Sequence, residues 1–313
     1  MSTIFNEIFI VTLIAASIRM AIPLLLAATG ELIAERSGVV NISLEGQMLV
    51  GAFFGFIGTY FTGSLMFGAM VGTISGVLMS LVLNYMCVTL KTDQIIVGIT
   101  LNIFALGITS YFYRVIFGIT TTPPSVAIYK NISIPFLSKI PYLGPIVFEQ
   151  SIIVYLSILI VIVVNIMLFK TSLGLKIRAA GEYPRAAETM GVNINKLRYL
   201  SVMLCGALAG LGGSYLSLGI LGRFVDNLSA GRGFIALAIV IFGKWSPYKV
   251  LGAALLFGFA DALQLRLQAL GVQLPYQFML MFPYAITIIA MIVTGKNSKA
   301  PQALSVPYDR EKL

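Results

Sequence analysis

Residues 151–169 read Ser-Ile-Ile-Val-Tyr-Leu-Ser-Ile-Leu-Ile-Val-Ile-Val-Val-Asn-Ile-Met-Leu-Phe, a run without a single charge, and Lys170 closes it. A helix needs about 20 predominantly apolar residues to span the hydrocarbon core of a bilayer. This run therefore reads as a membrane crossing. Seven more of comparable character follow from the same test, at 8–29, 41–61, 65–90, 94–117, 199–221, 250–270 and 276–294. The apolar run 233–243 is too short to span as a straight helix, and reads as a half-helix or part of a broken one. The fold class is an all-α, polytopic transmembrane bundle of about eight to ten membrane segments with broken helices, in one membrane domain over residues 1–313.

The composition agrees with the segments. Of 313 residues, 58% are hydrophobic and 11% charged, where soluble domains run at about 45–50% and about 25%. The net charge of +9 would suggest nucleic acid in a soluble protein. Here the cations sit in short loops between apolar runs, where they orient the chain. No nucleic-acid partner is expected; lipid is. Cys87 and Cys205 both fall inside apolar runs, so no disulfide framework is expected. With Glu7 the only charge before the first run, a cleaved signal peptide is not expected either.

Lys170, Lys176, Arg178, Arg185, Lys196 and Arg198 stand against Glu182 and Glu188 in the loop 170–198. Lys296, Lys299, Arg310 and Lys312 follow in the tail 295–313. The positive-inside rule makes both cytoplasmic. The stretch 118–149 carries five prolines and two lysines, and reads as an external loop with a short helix on the surface. Counting 233–243, nine crossings put the N-terminus outside and the C-terminus inside.

Small residues recur at Gly51 and Gly55, at Gly68, Gly72 and Gly76, and at Gly206 and Gly210. This four-residue spacing lets helix backbones approach closely in lipid. Ionisable groups at membrane depth are costly and mark pathways or pairs. Asn41, Ser43, Glu45 and Gln47 alternate in a way that fits no single helical face. Two readings stay open: irregular backbone beside a translocation pathway, or a loop that caps a helix through Ser43 or Asn41. Arg223, Asp226, Asn227, Ser229 and Arg232 precede the short run, and Asn227-Leu228-Ser229 echoes Asn41-Ile42-Ser43. An internal repeat of that kind would bring Glu45 and Arg232 together. Asp261 and Gln264 share a helical face near the middle of 250–270. Both are pathway candidates, with a structural ion pair the alternative for Asp261. Asn102 is a further lining candidate.

No G-x-x-x-x-G-K-[ST] phosphate loop occurs, so the chain is not expected to hydrolyse ATP. With no histidine there is no Ser/His/Asp arrangement. Neither catalytic residue, metal nor bound cofactor is expected.

The loop 170–198 contains Gly181-Glu182-Tyr183-Pro184-Arg185-Ala186-Ala187, with Gly191 four residues on. Pro184 suits a helix start and Gly191 a stop. A short cytoplasmic helix with an Ala-Ala face results, suited to a groove on a partner. These residues resemble the coupling loop of permease subunits in bacterial ATP-binding-cassette (ABC) importers, in the branch for ribose-like sugars, branched-chain amino acids and nucleosides. Residues Glu35-Arg36-Ser37-Gly38-Val39-Val40-Asn41-Ile42-Ser43-Leu44-Glu45-Gly46-Gln47 resemble a motif of its nucleoside and simple-sugar subgroup. The resemblance spans about 24–294. It implies a type II importer-like bundle, a cytoplasmic ATPase that uses the ATP and touches Tyr183–Gly191, a second permease chain (often a different one), and an external binding lipoprotein, all at a bacterial cytoplasmic membrane. It departs from the ribose-type pattern at the N-terminus, where one helix is missing. The expected function is nucleoside import, with a simple sugar such as ribose or galactose as the alternative cargo. The rival class is an ion-coupled secondary transporter using Asp261 or Glu45.

Overall fold

The computed structural model describes residues 7–118, 123–135, 137–270 and 299–309, together with Met281, Ala285, Ile286, Ile288 and Ile292. The expected crossing at 276–294 thus lies largely outside the described residues. Among the described residues ten α-helices follow one another: α1 (Glu7–Arg36), α2 (Leu44–Thr62), α3 (Leu65–Asn84), α4 (Gln94–Phe117), α5 (Ile152–Lys170), α6 (Ser172–Glu182), α7 (Pro184–Thr189), α8 (Ile194–Tyr215), α9 (Arg232–Phe242) and α10 (Pro247–Ala269). Single π-helical stretches, Tyr85–Thr89 and Leu216–Leu221, prolong α3 and α8. Six helical spans among the described residues are long and apolar enough to cross a membrane: Phe9–Arg36, Leu65–Thr89, Gln94–Phe117, Ile152–Lys170, Ile194–Leu221 and Pro247–Ala269. α2 falls outside that set because Glu45 and Gln47 lie in its first turn, yet it is the helix most surrounded by protein.

Local chemistry sets the helix ends. Asp93 accepts from the amides of Ile95 and Ile96 and so starts α4, and Asn193 accepts from Lys196 to start α8. Gly63, at φ +70°, stops α2 in the left-handed conformation that suits glycine.

Glycine seams hold the centre. A Cβ on Gly51 would stand 2.6 Å from Gly210 Cα, one on Gly72 2.7 Å from the Gly51 carbonyl oxygen, and one on Gly76 2.9 Å from Gly210 Cα. α2, α3 and α8 thus meet backbone to backbone. Lipid is as apolar as leucine, so close packing has to supply the attraction that water supplies elsewhere.

The two sides of the bundle can be told apart. The Tyr142 hydroxyl donates to Glu7 at 2.6 Å, and Val126 N to Gly222 O at 2.8 Å. The start of α1 and the end of α8 therefore lie on the side of the loop 118–149. The Tyr129 hydroxyl in that loop donates to Leu65 O at 3.0 Å, and burial pushes its pKa up to about 12. This loop holds two three-residue strands, β1 (Asn131–Ser133) and β2 (Glu149–Ser151), paired antiparallel. The all-helical expectation missed this hairpin, and the loop's helical pieces are single turns at Leu137–Lys139 and Gly144–Phe148. The end of α1 lies with α6 and α7 on the opposite, basic side.

Candidate functional site

The first apolar run was expected to end at residue 29, but α1 continues to Arg36 and carries Glu31 and Glu35 into the interior. The chain then turns at Ser37 and Gly38, the latter at φ +93°, and climbs back beside α1. Glu31 Oε1 accepts from Asn41 N at 2.8 Å, and Cys205 Sγ donates to Glu31 Oε2 at 3.4 Å. Asn41 Nδ2 donates to Gln47 Oε1 at 2.9 Å, while Asn41 Oδ1 accepts from the Ser43 amide at 3.1 Å and its hydroxyl at 2.6 Å. Asn41, Ser43 and Gln47 are wholly buried, and they satisfy one another as buried polar groups must. Asn102, from α4, bonds the backbone on both sides of the α2 start: its Nδ2 donates to Ile42 O at 2.9 Å and its Oδ1 accepts from Gly46 N at 2.8 Å.

Glu45 has a distant task. Its carboxylate accepts from Gly231 N and Gly233 N, both at 2.7 Å. These amides open α9, where the helix dipole and unpaired N–H groups favour a negative charge. The contact with Arg232 expected from the repeat takes this form: Glu45 bonds the backbone on either side of Arg232, and the guanidinium turns to Asp261 at 3.8 Å. Gln264, one turn beyond Asp261 in α10, is buried. Arg266 lies over the Phe9 ring at 5.5 Å, at the other end of α1.

The far end of α9 returns to the same motif. Trp245 Nε1 donates to Glu35, and Arg36 donates to Trp245 O at 2.9 and 3.2 Å. Residues 222–231 are non-helical, with Phe224 packed 5.1 Å from the Phe53 ring. Gly222 sits beside the loop 118–149 and Trp245 beside Arg36, so 222–245 is one broken crossing whose second half is α9. Irregular backbone at such depth is tolerated where protein surrounds it.

Helix α7 starts with Pro184 at its first turn and is followed by Gly191 at φ +79°. Tyr183, Arg185, Ala186 and Met190 are exposed, and Glu182 is partly so. Ala187 and Gly181 are buried. The expected Ala-Ala face is therefore divided: Ala186 looks outward and Ala187 packs inward. Gly181 stands against the Gly38 turn; a Cβ on it would collide with the Arg36 carbonyl oxygen and lie 3.2 Å from Gly38 N. The two motifs that stand out in the sequence are thus in contact. Arg198, counted in the sequence as a loop charge, is 1% exposed beneath them.

Glu31, Glu35, Arg36, Arg198 and Trp245 were not singled out as site residues. The spacing of Glu31 and Glu35 one turn apart, at the end of an apolar run, was the signal available.

Residues 13–291 match the family model described as branched-chain amino acid transport system / permease component. The chain belongs to this family. Among its relatives is the guanosine ABC transporter permease protein NupQ of Bacillus subtilis, 40% identical over 96% of this chain and 97% of that protein. The putative glucose ABC transporter permease protein TsgC13 of Haloferax volcanii is 38% identical over 97% and 99%. The nucleoside ABC transporter permease protein NupC of Lactococcus lactis is 35% identical over 93% and 94%. The chain is an ABC transporter permease: a multi-pass protein of the cytoplasmic membrane and a transport component, with ATP hydrolysis left to a separate ATPase subunit. Membership also implies a substrate-binding protein, and it sets aside the ion-coupled alternative.

Proposed function

We propose that this permease forms part of the pathway of an importer for nucleosides, with its ATPase seated on the exposed residues of Tyr183–Met190. The observation that carries the mechanism is Gly181 lying against the Gly38 turn. That turn leads directly into the motif gripping α9 at both ends. A displacement of α7 by the ATPase would reach the membrane interior through backbone contacts alone. The broken crossing is the element placed to move, with Glu45, Asp261 and Gln264 around its start; Asn41, Ser43, Gln47 and Asn102 hold the frame it moves against.

The cargo reading rests on two points. Relatives at 35–40% identity are named for guanosine and nucleosides. The opening of α9, the natural seat for an anion, is already filled by Glu45, which suits a neutral polar cargo. A sugar is the second reading, favoured by the glucose-named relative. A second permease chain completes the pathway in this proposal, and a binding lipoprotein selects the cargo outside. In this proposal ATP is used by the partner subunit and the permease chain itself takes no cofactor.

Two measurements test it. Copurification in mild detergent should bring down an ATPase with the wild type and lose it with Arg185→Glu plus Ala186→Asp. Uptake of labelled guanosine by cells carrying the whole system should be competed by other nucleosides and not by glucose or ribose. Competition by sugars alone would reverse the cargo assignment.

A further inference from the structure

Residues 301–309 of the tail lie beyond the stretch that the family model matches, yet they are threaded through the cytoplasmic contact just described. Ala303 N donates to Gly181 O at 2.8 Å, and Ser305 N to Gly38 O at 3.1 Å. The Ala303 carbonyl oxygen would lie 3.1 Å from a Cβ on Gly38. Gln302 N reaches Glu182 Oε2 at 3.4 Å, and the Tyr308 hydroxyl donates to Glu188 in α7. Lys91, in the turn between α3 and α4, pairs with Asp309 at 2.7 Å. Beneath them, Arg198 Nη1 donates to Val306 O at 3.0 Å, while its Nε and Nη2 are buried without acceptors. A buried cation is costly unless acceptors meet it, and the tail backbone supplies one to Arg198.

We propose that residues 301–309 are a clasp that binds the coupling helix, the Gly38 turn and the α3–α4 turn into one moving body, with Arg198, Tyr308 and Asp309 as its positioning residues. The clasp donates hydrogen bonds to both motifs at once, from Ala303 N to Gly181 O and from Ser305 N to Gly38 O, so the two cannot separate without breaking the tail's backbone pairing. Its role rests on the reading that the ATPase pushes on α7. Two glycine surfaces in contact carry compression well but little tension; the tail supplies the link that also carries a pull.

The test uses the complete importer, with ATPase and binding protein, reconstituted in proteoliposomes. ATP hydrolysis and guanosine uptake are measured together for the wild type, for removal of residues 301–313, for Tyr308→Phe, for Lys91→Asp, and for Lys91→Asp with Asp309→Lys. The ATPase should stay bound and active when the tail is removed, while guanosine moved per ATP falls by about fivefold or more, the lower end of ordinary coupling between sites. Tyr308→Phe and Lys91→Asp should each lower the same ratio, and the charge exchange should restore it. A clasp that merely stabilised the fold would lower the amount of complex and leave cargo per ATP unchanged; that result overturns the proposal, as does an exchange without rescue. Should the truncated chain fail to assemble, the full-length charge exchange decides. A wild-type chain that retains no ATPase would overturn the importer reading instead.

Discussion

Gly38 and Gly181 are stacked so closely that a Cβ on Gly38 would stand 3.5 Å from Gly181 Cα, and one on Gly181 3.2 Å from Gly38 N. Gly38 also needs its left-handed φ of +93°, which is free of steric cost only for glycine. The first of these residues leads into α2, and the second stands near the end of α6, just ahead of α7 with its exposed residues.

Gly181→Ala should therefore act on coupling through backbone spacing. The added methyl meets the Arg36 carbonyl, with nowhere to go but apart. Overpacking of this kind costs about 1–3 kcal/mol. Uptake should fall severalfold and thermal stability in detergent should drop measurably; a variant with normal uptake and melting would show that the contact is incidental.

Glu45→Ala leaves the amides of Gly231 and Gly233 without their acceptor. Each buried, unpaired group costs about 1–3 kcal/mol, enough to release the start of α9. Glu45→Gln keeps one acceptor oxygen and should lose much less. Protease accessibility of residues 222–232, compared across the three proteins, checks the order wild type, Gln, Ala.

Arg232 and Asp261 should tolerate exchange better than either tolerates reversal alone, because their relation is side chain to side chain at 3.8 Å. Arg232→Asp alone should abolish uptake, and addition of Asp261→Arg should restore part of it. Exchange of Glu45 with Arg232 should restore nothing, since Glu45 bonds backbone amides. Rescue in the second pair and none in the first would invert this assignment.

Neighbouring alanines in α7 should behave differently. Ala186→Asp places a charge on the exposed side and should weaken ATPase copurification while the chain stays folded. Ala187→Asp buries an unpaired carboxylate where the native methyl is 6% exposed, and should reduce the folded yield before any partner is involved. Fluorescence-detected size exclusion followed by copurification separates the two effects.

Most of the crossings could be read from the sequence because 151–169 and its companions declare their length locally. Pro184 and Gly191 mark the ends of α7 just as locally. The short run 233–243 could be recognised as half a crossing, because eleven residues cannot span a bilayer. What could not be read were partnerships made with backbone. Glu45 suggested a charged side chain as its partner, since sequence displays side chains and conceals which amides lack acceptors. Arg198 looked like one more loop cation because the carbonyl that accepts from it lies in the tail, more than 100 residues away in the chain. That Glu31 and Glu35 lie inside α1 was hidden for a related reason: hydropathy ends a segment where polar residues start, whereas α1 continues because Asn41, Cys205 and Trp245 come to meet them.

The grip of Glu45 on α9 has a consequence for how the protein is made. Glu45 and Gly233 are 188 residues apart, so α2 leaves the ribosome well before the amides that bond its carboxylate exist. At about 5–20 residues per second the interval is roughly 10–40 s. Through that time the Glu45 carboxylate lacks the two amide donors it has in the folded chain, and an ionisable group without them is costly at membrane depth. Synthesis of α9 supplies those donors, so the start of α2 acquires its hydrogen-bond partners only from a segment made long after it.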